Sequence, residues 1–212
     1  TSFNQDISNW DVSKLVNMSR IFSHSKFNQP IGNWDVSNVY SMFDTFLGSP
    51  FNQDISNWDT SNVTIMQGMF YETPFNKPIG NWDVSNVTNM YLMFHNSSFN
   101  QDISNWDVSN VTNMRYTFHS AKEFNQDISN WDVSNVTDMS YMFHSAKEFN
   151  QDISNWDVFN VTDMSFMFYR ASEFNQDLSN WNVSKVSECN NFYLYANAFN
   201  LPKPNFTNCN PD

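Results

Sequence analysis

The chain reads as a repeat solenoid. The expected form is a right-handed, leucine-rich-repeat-like coil of about eight turns, with short parallel strands on one face and short helices or 3-10 turns on the other. Three observations predict it. Tryptophan recurs at Trp10, Trp34, Trp58, Trp82, Trp106, Trp131, Trp156 and Trp181, at separations of 24 and then 25 residues, and a fixed period in this range marks stacked repeats. Apolar residues fall in fixed columns around each tryptophan, and a Phe-Asn pair opens every unit. Only 4 glycines occur in 212 residues, so Asn, which tolerates left-handed backbone, is expected to make the turns. Indoles from consecutive turns should then lie over one another in a dry column.

With each Trp as position zero, position −3 is Ile or, at Leu178, Leu; +2 is Val or Thr; +5 is Val or Leu. Position +8 is Met from Met18 to Met164 and then Cys189, and +12 is aromatic from Phe22 to Phe168 and then Tyr193. Trp and the +2 side chain share a direction with an Asp between them, which is the period of a short strand. Positions +5, +8 and +12 follow i, i+3, i+7, which predicts a helical segment. Ser at +3 (Ser13, Ser37, Ser61, Ser85, Ser109, Ser134, Ser184) is placed to cap it. The strands should pair in parallel at about 4.8 Å. The extra residue of the later repeats lies between the +12 aromatic and the next Phe, as Phe22–Phe27 against Phe118–Phe124 shows, where a loop absorbs it.

Two polar devices repeat. Asn after each opening Phe, from Asn4 and Asn28 to Asn175 and Asn200, is expected as a buried ladder satisfied by the backbone of its own loop. Before each Asn-Trp stands Asp-Ile-Ser or Asp-Leu-Ser in six repeats, and Pro-Ile-Gly at Pro30–Gly32 and Pro78–Gly80. Asp accepts a bond from the Ser two places on, and Pro fixes the same turn without it.

Composition narrows the function. Ten Lys and Arg against 22 Asp and Glu give a formal net charge of −12, without the concentrated basic surface that nucleic acid requires. Anionic lipid is an equally poor partner, and no run of 18 apolar residues predicts membrane insertion. Hydrophobic residues at 40% suffice for a narrow core along the stack. The chain divides into a solenoid over 1–190 and a C-terminal cap and tail over 191–212. Cys189 and Cys209 are spaced for a disulfide tying that cap, which implies an oxidising compartment; the alternative is a buried Cys189 and a free thiol at Cys209. The chain opens inside a repeat, at Thr1-Ser2-Phe3-Asn4, without a leader pattern, and is read as a mature or excised segment of a longer product.

The spacing Ile-x-x-Trp-x-Val-x-x-Val-x-x-Met-x-x-x-Phe resembles the BspA-type leucine-rich repeat of bacterial surface proteins. The run Phe124 to Met139 is similar almost letter for letter to its 25-residue variant. The resemblance covers the chain to about Phe199 and implies a leucine-rich solenoid in an extracellular or cell-surface setting, with a loosely assigned role in adhesion. It brings no catalytic residues. Phe159 in place of Ser, Asn182 in place of Asp, and the tail depart from the pattern.

The expected contact surface is the strand face, with Asn at −1 (Asn33, Asn57, Asn81, Asn105, Asn130, Asn155) and Asp at +1 (Asp11, Asp35, Asp59, Asp83, Asp107, Asp132, Asp157). Carboxylates stacked at that spacing repel by roughly 0.8 kcal/mol per adjacent pair in water, so neighbouring Asn, Ser or backbone donors are expected to relieve them. Ca²⁺, a hard ion served by such oxygens, is the competing reading; one Asp per turn supplies few ligands. Asn62, Asn86, Asn110, Asn135 and Asn160 open Asn-Val-Thr sequons, which are either glycosylation sites or the first turn of a capped helix. The Thr row (Thr64, Thr88, Thr112, Thr137, Thr162) invites an ice- or mineral-binding reading. His95, His119 and His144 form one column, either a metal site or helix-end histidines. Lys122–Glu123 and Lys147–Glu148 are expected to pair between turns. No metal, cofactor or enzyme activity is expected: carboxylates are spread uniformly and no phosphate loop or unique nucleophile occurs. The expected role is a non-enzymatic extracellular module for multivalent adhesion to protein or glycan, with a filament or surface-layer subunit, binding other copies of itself, as the alternative.

Overall fold

A computed structural model describes residues 1–212. Each repeat lies on the one before it. A parallel bridge joins +7 of every repeat to +7 of the next, running Asn17, Ser41, Ile65, Asn89, Asn113, Asp138, Asp163, Glu188. These are single bridges, and no residue is helical. Both local expectations therefore need correction: the strand-like contact lies seven residues after Trp rather than at it, and the segment from +8 to +15 is a string of turns.

The hydrogen bonds explain the string. The +8, +10, +12 and +14 N–H groups donate to carbonyls of the next repeat: Met114 to Asp138 (3.0 Å), Tyr116 to Ser140 (3.1 Å), Phe118 to Met142 (3.0 Å) and Ser120 to His144 (2.7 Å). The intervening N–H groups close turns inside their own repeat: Thr117 to Met114 (3.2 Å), His119 to Tyr116 (3.2 Å) and Ala121 to Phe118 (3.0 Å). A helix would keep every such bond within itself. Here alternate donors point along the stack, so each turn is satisfied by its neighbour. The geometry needs a left-handed residue at +10 and at +14 of every repeat, from Arg20 and His24 to Asn191 and Tyr195. Only Gly48 and Gly68 are glycines, and none of the others is β-branched, the class for which this conformation is least tolerable. At Gly68 an added Cβ would also strike the Asp44 carboxylate of the repeat below.

Between the turns runs a dry aromatic core. The +12 phenylalanines stack from Phe22 to Phe168 at 5.5–6.0 Å. The repeat-opening phenylalanines form a second column, and the two columns touch at 3.9–4.2 Å within each repeat. Seven indoles are buried beside them, each donating its Nε1–H to the −3 carbonyl of the preceding repeat, as Trp106 does to Ile79 (3.0 Å). Trp10 departs from the expected column: it is 61% exposed.

The change of period has a chemical cause. In the 24-residue repeats +15 is a buried Ser25, Ser49, Thr73 or Ser97, whose hydroxyl accepts the N–H of the next Phe at 3.2–3.4 Å. In the 25-residue repeats +15 is a buried alanine. The extra residue then lets the backbone make the turn, as in Phe124 N–H to Ala121 O (3.2 Å) and Phe199 N–H to Ala196 O (3.0 Å).

The tail closes the C-terminal end. Cys189 and Cys209 are disulfide-bonded. Pro202 and Pro211 carbonyls accept the N–H groups of Leu178 and Phe192, and Asn208 donates to Ser184 O (2.8 Å). Phe206 covers Phe192 at 5.0 Å.

Candidate interaction surface

The Asp at +1 is exposed in all seven repeats that carry it. Its Oδ1 accepts the N–H of the +3 residue at 3.0–3.1 Å, and in Ser13, Ser37, Ser61 and Ser85 the hydroxyl as well, at 2.6 Å. Ser +3 therefore caps no helix; it donates to the Asp, the relief expected for stacked carboxylates. Phe159 keeps the backbone bond to Asp157, and Asn182 replaces Asp while still holding Ser184 (3.2 Å). These bonds, from the Ser hydroxyl first and its N–H second, draw the carboxyls of Asp11, Asp35, Asp59 and Asp107 below their ordinary range. For Asp35 they outweigh repulsion from Asp59 and Asp11. One oxygen of each carboxylate in the row is fixed in the same way.

The aspartates at −4, expected to accept a bond from the Ser two places on, do so and form a second acidic row. Asp6, Asp54, Asp102, Asp127, Asp152 and Asp177 each accept the N–H of the Ser two places on at 2.9 Å. Their carboxyls are lowered by the same Ser bonds. The repeated Asp-Ile-Ser was the available signal. Asp127 and Asp152 flank a polar hollow shared with Ser129, Gln151, Ser154 and Asn155.

The asparagines are tied to the scaffold to different degrees. All six −1 asparagines are exposed, and Asn33, Asn81 and Asn155 donate to the Ser carbonyls of the preceding repeat at 2.9–3.1 Å. The sequon residues Asn62, Asn86, Asn110, Asn135 and Asn160 donate their Nδ2 to the preceding +3 carbonyl at 2.7–2.8 Å. They open no helix. The Asn after each Phe forms an unbroken ladder from Asn4 to Asn200, each side chain accepting the N–H of the next rung at 2.9–3.0 Å. It runs along the partly exposed surface and serves the neighbouring turn, not its own loop. The hydroxyls of Thr64, Thr112, Thr137 and Thr162 donate to the carbonyl of the preceding rung at 3.1–3.3 Å.

The histidines stack face to face, His95 on His119 and His119 on His144, each at 4.3 Å. Tyr169 extends the stack at 4.7 Å, and Tyr71 meets His95 at 4.6 Å with its ring tilted by 51°. Lone pairs lie in the plane of an imidazole, so rings stacked this way do not converge on one ion. No three His, Cys, Asp or Glu side chains come together in a cluster fit for a metal. Lys122 and Lys147 make no ion pair with the glutamates; their carbonyls instead accept the N–H groups of Glu148 and Glu173. The salt bridge present is Arg20–Asp44 at 3.0 Å. Here burial pushes the Asp44 carboxyl up, against the pull of Arg20. At the N-terminal end Phe3, Trp10 and Ile21 are exposed around an apolar hollow, and Val16 is exposed as well. No helix is long and apolar enough to cross a membrane.

A family model described as "Mycoplasma protein of unknown function, DUF285" matches residues 1–102 and again 95–206. The chain belongs to that family of repeat proteins. No curated protein and no solved structure matches it.

Proposed function

We propose that this family member is a non-enzymatic extracellular or cell-surface module, a right-handed leucine-rich solenoid whose Asn/Asp surface makes multivalent contacts with protein or glycan. The observation that carries the reading is the sameness of the +1 carboxylates. One oxygen of each is held by the same bond in turn after turn. Identical groups at fixed spacing add weak contacts through effective concentration, and their prior fixation reduces the entropy lost on contact. The disulfide at the C-terminal end suits the oxidising setting.

The test couples the full chain to beads at graded density and measures retention on cell or matrix-coated surfaces under flow. Retention should rise more steeply than linearly with density, and Asp83→Asn, Asp107→Asn and Asp132→Asn together should abolish most of it. Retention at no density, or retention indifferent to the three changes, rejects the reading. A second reading, a filament or surface-layer subunit, draws support from the exposed Phe3, Trp10, Val16 and Ile21, since uncovered apolar ends favour end-to-end contact. Sedimentation that finds only monomers at high concentration removes it.

A further inference from the structure

From Tyr91 to Tyr195 the +9 to +14 segments of five consecutive repeats contain no Asp, Glu or Lys, in a chain with 22 acidic residues. What they present is a double row of aromatic edges. One row is Tyr116, Tyr141 and Phe166, stacked at 4.5 and 4.7 Å. The other is the His95, His119, His144, Tyr169 stack, and the rows touch at 5.3–5.7 Å through Tyr116–His119, Tyr141–His144 and Phe166–Tyr169. Arg115 lies 5.0 Å over Tyr116, and Arg170 lies 5.2 Å over Tyr169. Neither guanidinium has a salt-bridge partner. Arg115 Nε and the Nδ1 atoms of His95 and His119 are buried without a hydrogen-bond partner. Asp138 and Asp163 border the strip, each engaged by a Ser N–H.

We propose that this strip is a second interaction surface, and that its occupant is an extended acidic peptide segment of a partner protein, carrying carboxylates and apolar side chains. Four arguments select that occupant. Aromatic and Arg enrichment with depletion of Lys, Asp and Glu is the composition of the centre of protein interfaces. Two arginines without carboxylate partners, in a molecule of net charge −12, complement acidic groups. The ring faces are taken up by stacking on one another, so the platforms on which a sugar would lie are occupied, and the positive ring edges face outward. Finally, five rungs at about 4.8 Å make a strip roughly 20 Å long and two rings wide, far short of the ~800 Å² each partner gives to a stable globular interface. That length suits about six residues of extended chain.

The proposal is independent of the acidic-ladder reading, whose bead assay can fail while this result stands. The test measures fluorescence anisotropy of a fluorescein-labelled decapeptide of alternating Glu and Phe against the full chain. Saturable binding is expected, weakened by added salt and at least tenfold by Arg115→Glu with Arg170→Glu. Lys122→Glu with Lys147→Glu makes the same change of net charge outside the strip and should leave affinity within twofold. If the double arginine variant unfolds, Arg170→Glu alone, at an exposed residue, should still weaken binding at least threefold. No saturable binding, or equal loss in the arginine and lysine variants, overturns the proposal. So does preferential binding of a heparin fragment of similar length, which would assign the strip to anionic glycan.

Discussion

His119 sits between two other imidazoles with most of its surface away from water. Burial, and then the neighbouring histidines, lower its pKa to about 3; burial first and His144 second lower that of His95 to about 4. His144 is lowered too, chiefly by burial. The sign of the consequence is fixed by linkage. An unfolded chain binds protons on these rings near pH 6.5, whereas the folded column refuses them until far lower. Stability is therefore full above pH 6.5 and declines as pH falls from there through about 4 to about 3, where His95 and then His119 take up protons in the folded chain. The Ser-held aspartates, lowered from 3.8, withdraw their contribution only below that pH, so the fall between pH 6.5 and 4 belongs to the histidines. Tyr169 already stacks in the same column, so His119→Tyr should preserve the stack while removing one protonation site. Thermal melting between pH 7 and 4 is expected to show a shallower fall for the variant than for the parent chain. Parallel curves would show that the column does not carry the acid sensitivity.

At the scale of a single turn, the buried +15 residue decides how the chain re-enters the core. Ser97 accepts a bond from Phe94's neighbouring turn through its hydroxyl, taking the N–H of Phe99 at 3.4 Å while donating to Phe94 O at 2.9 Å. Ser97→Ala leaves a buried N–H unsatisfied, at a cost of about 1–3 kcal/mol, or several degrees of Tm at this chain length. Ala121→Ser, in a repeat where the backbone already makes that bond, should bring no comparable gain. A Ser97→Ala protein that melts with the parent would refute the assignment. The pairing of Ser or Thr with the short period and Ala with the long one is visible in the sequence, but its meaning needed the hydrogen bonds. The turn segment was harder to read. Inward positions +8, +11, +12 and +15 repeat every four residues over only two cycles, a pattern a helix of 3.6 residues per turn reproduces equally well. What separates them is left-handed backbone at +10 and +14, and only two glycines advertise it. Stacking and core columns, by contrast, were legible because 24 or 25 residues return each Phe and Met to the same environment. Ser as the partner was legible for both acidic rows, from Asp-Ile-Ser at −4 and from the crowding of like charges at +1; that Ser +3 supplies the bond through both N–H and hydroxyl in four repeats needed the structure.

Across the whole molecule, each repeat draws its hydrogen bonds from its immediate neighbours, so stability should be distributed by distance from the ends rather than shared evenly. The C-terminal end depends on a tail with little core of its own. Its bonds to Leu178, Phe192 and Ser184, and the cover of Phe206 on Phe192, are held in place by the link from Cys209 to Cys189. Breaking a link that closes a loop of this size withdraws about 3 kcal/mol in the chain-entropy account. Cys209→Ser should therefore release the tail and fray the last repeats while the middle of the stack holds. Hydrogen exchange gives the spatial readout: faster exchange at Leu178, Trp181 and Phe192, and unchanged protection at Met42, Met90 and Met114, whose hydrogen-bonded N–H groups lie several rungs away. Reduction of the parent chain should reproduce the same map. Uniform loss of protection along all eight rungs would mean that the stack melts as one unit, and that nearest-neighbour coupling is strong enough to carry a defect at one end to the other.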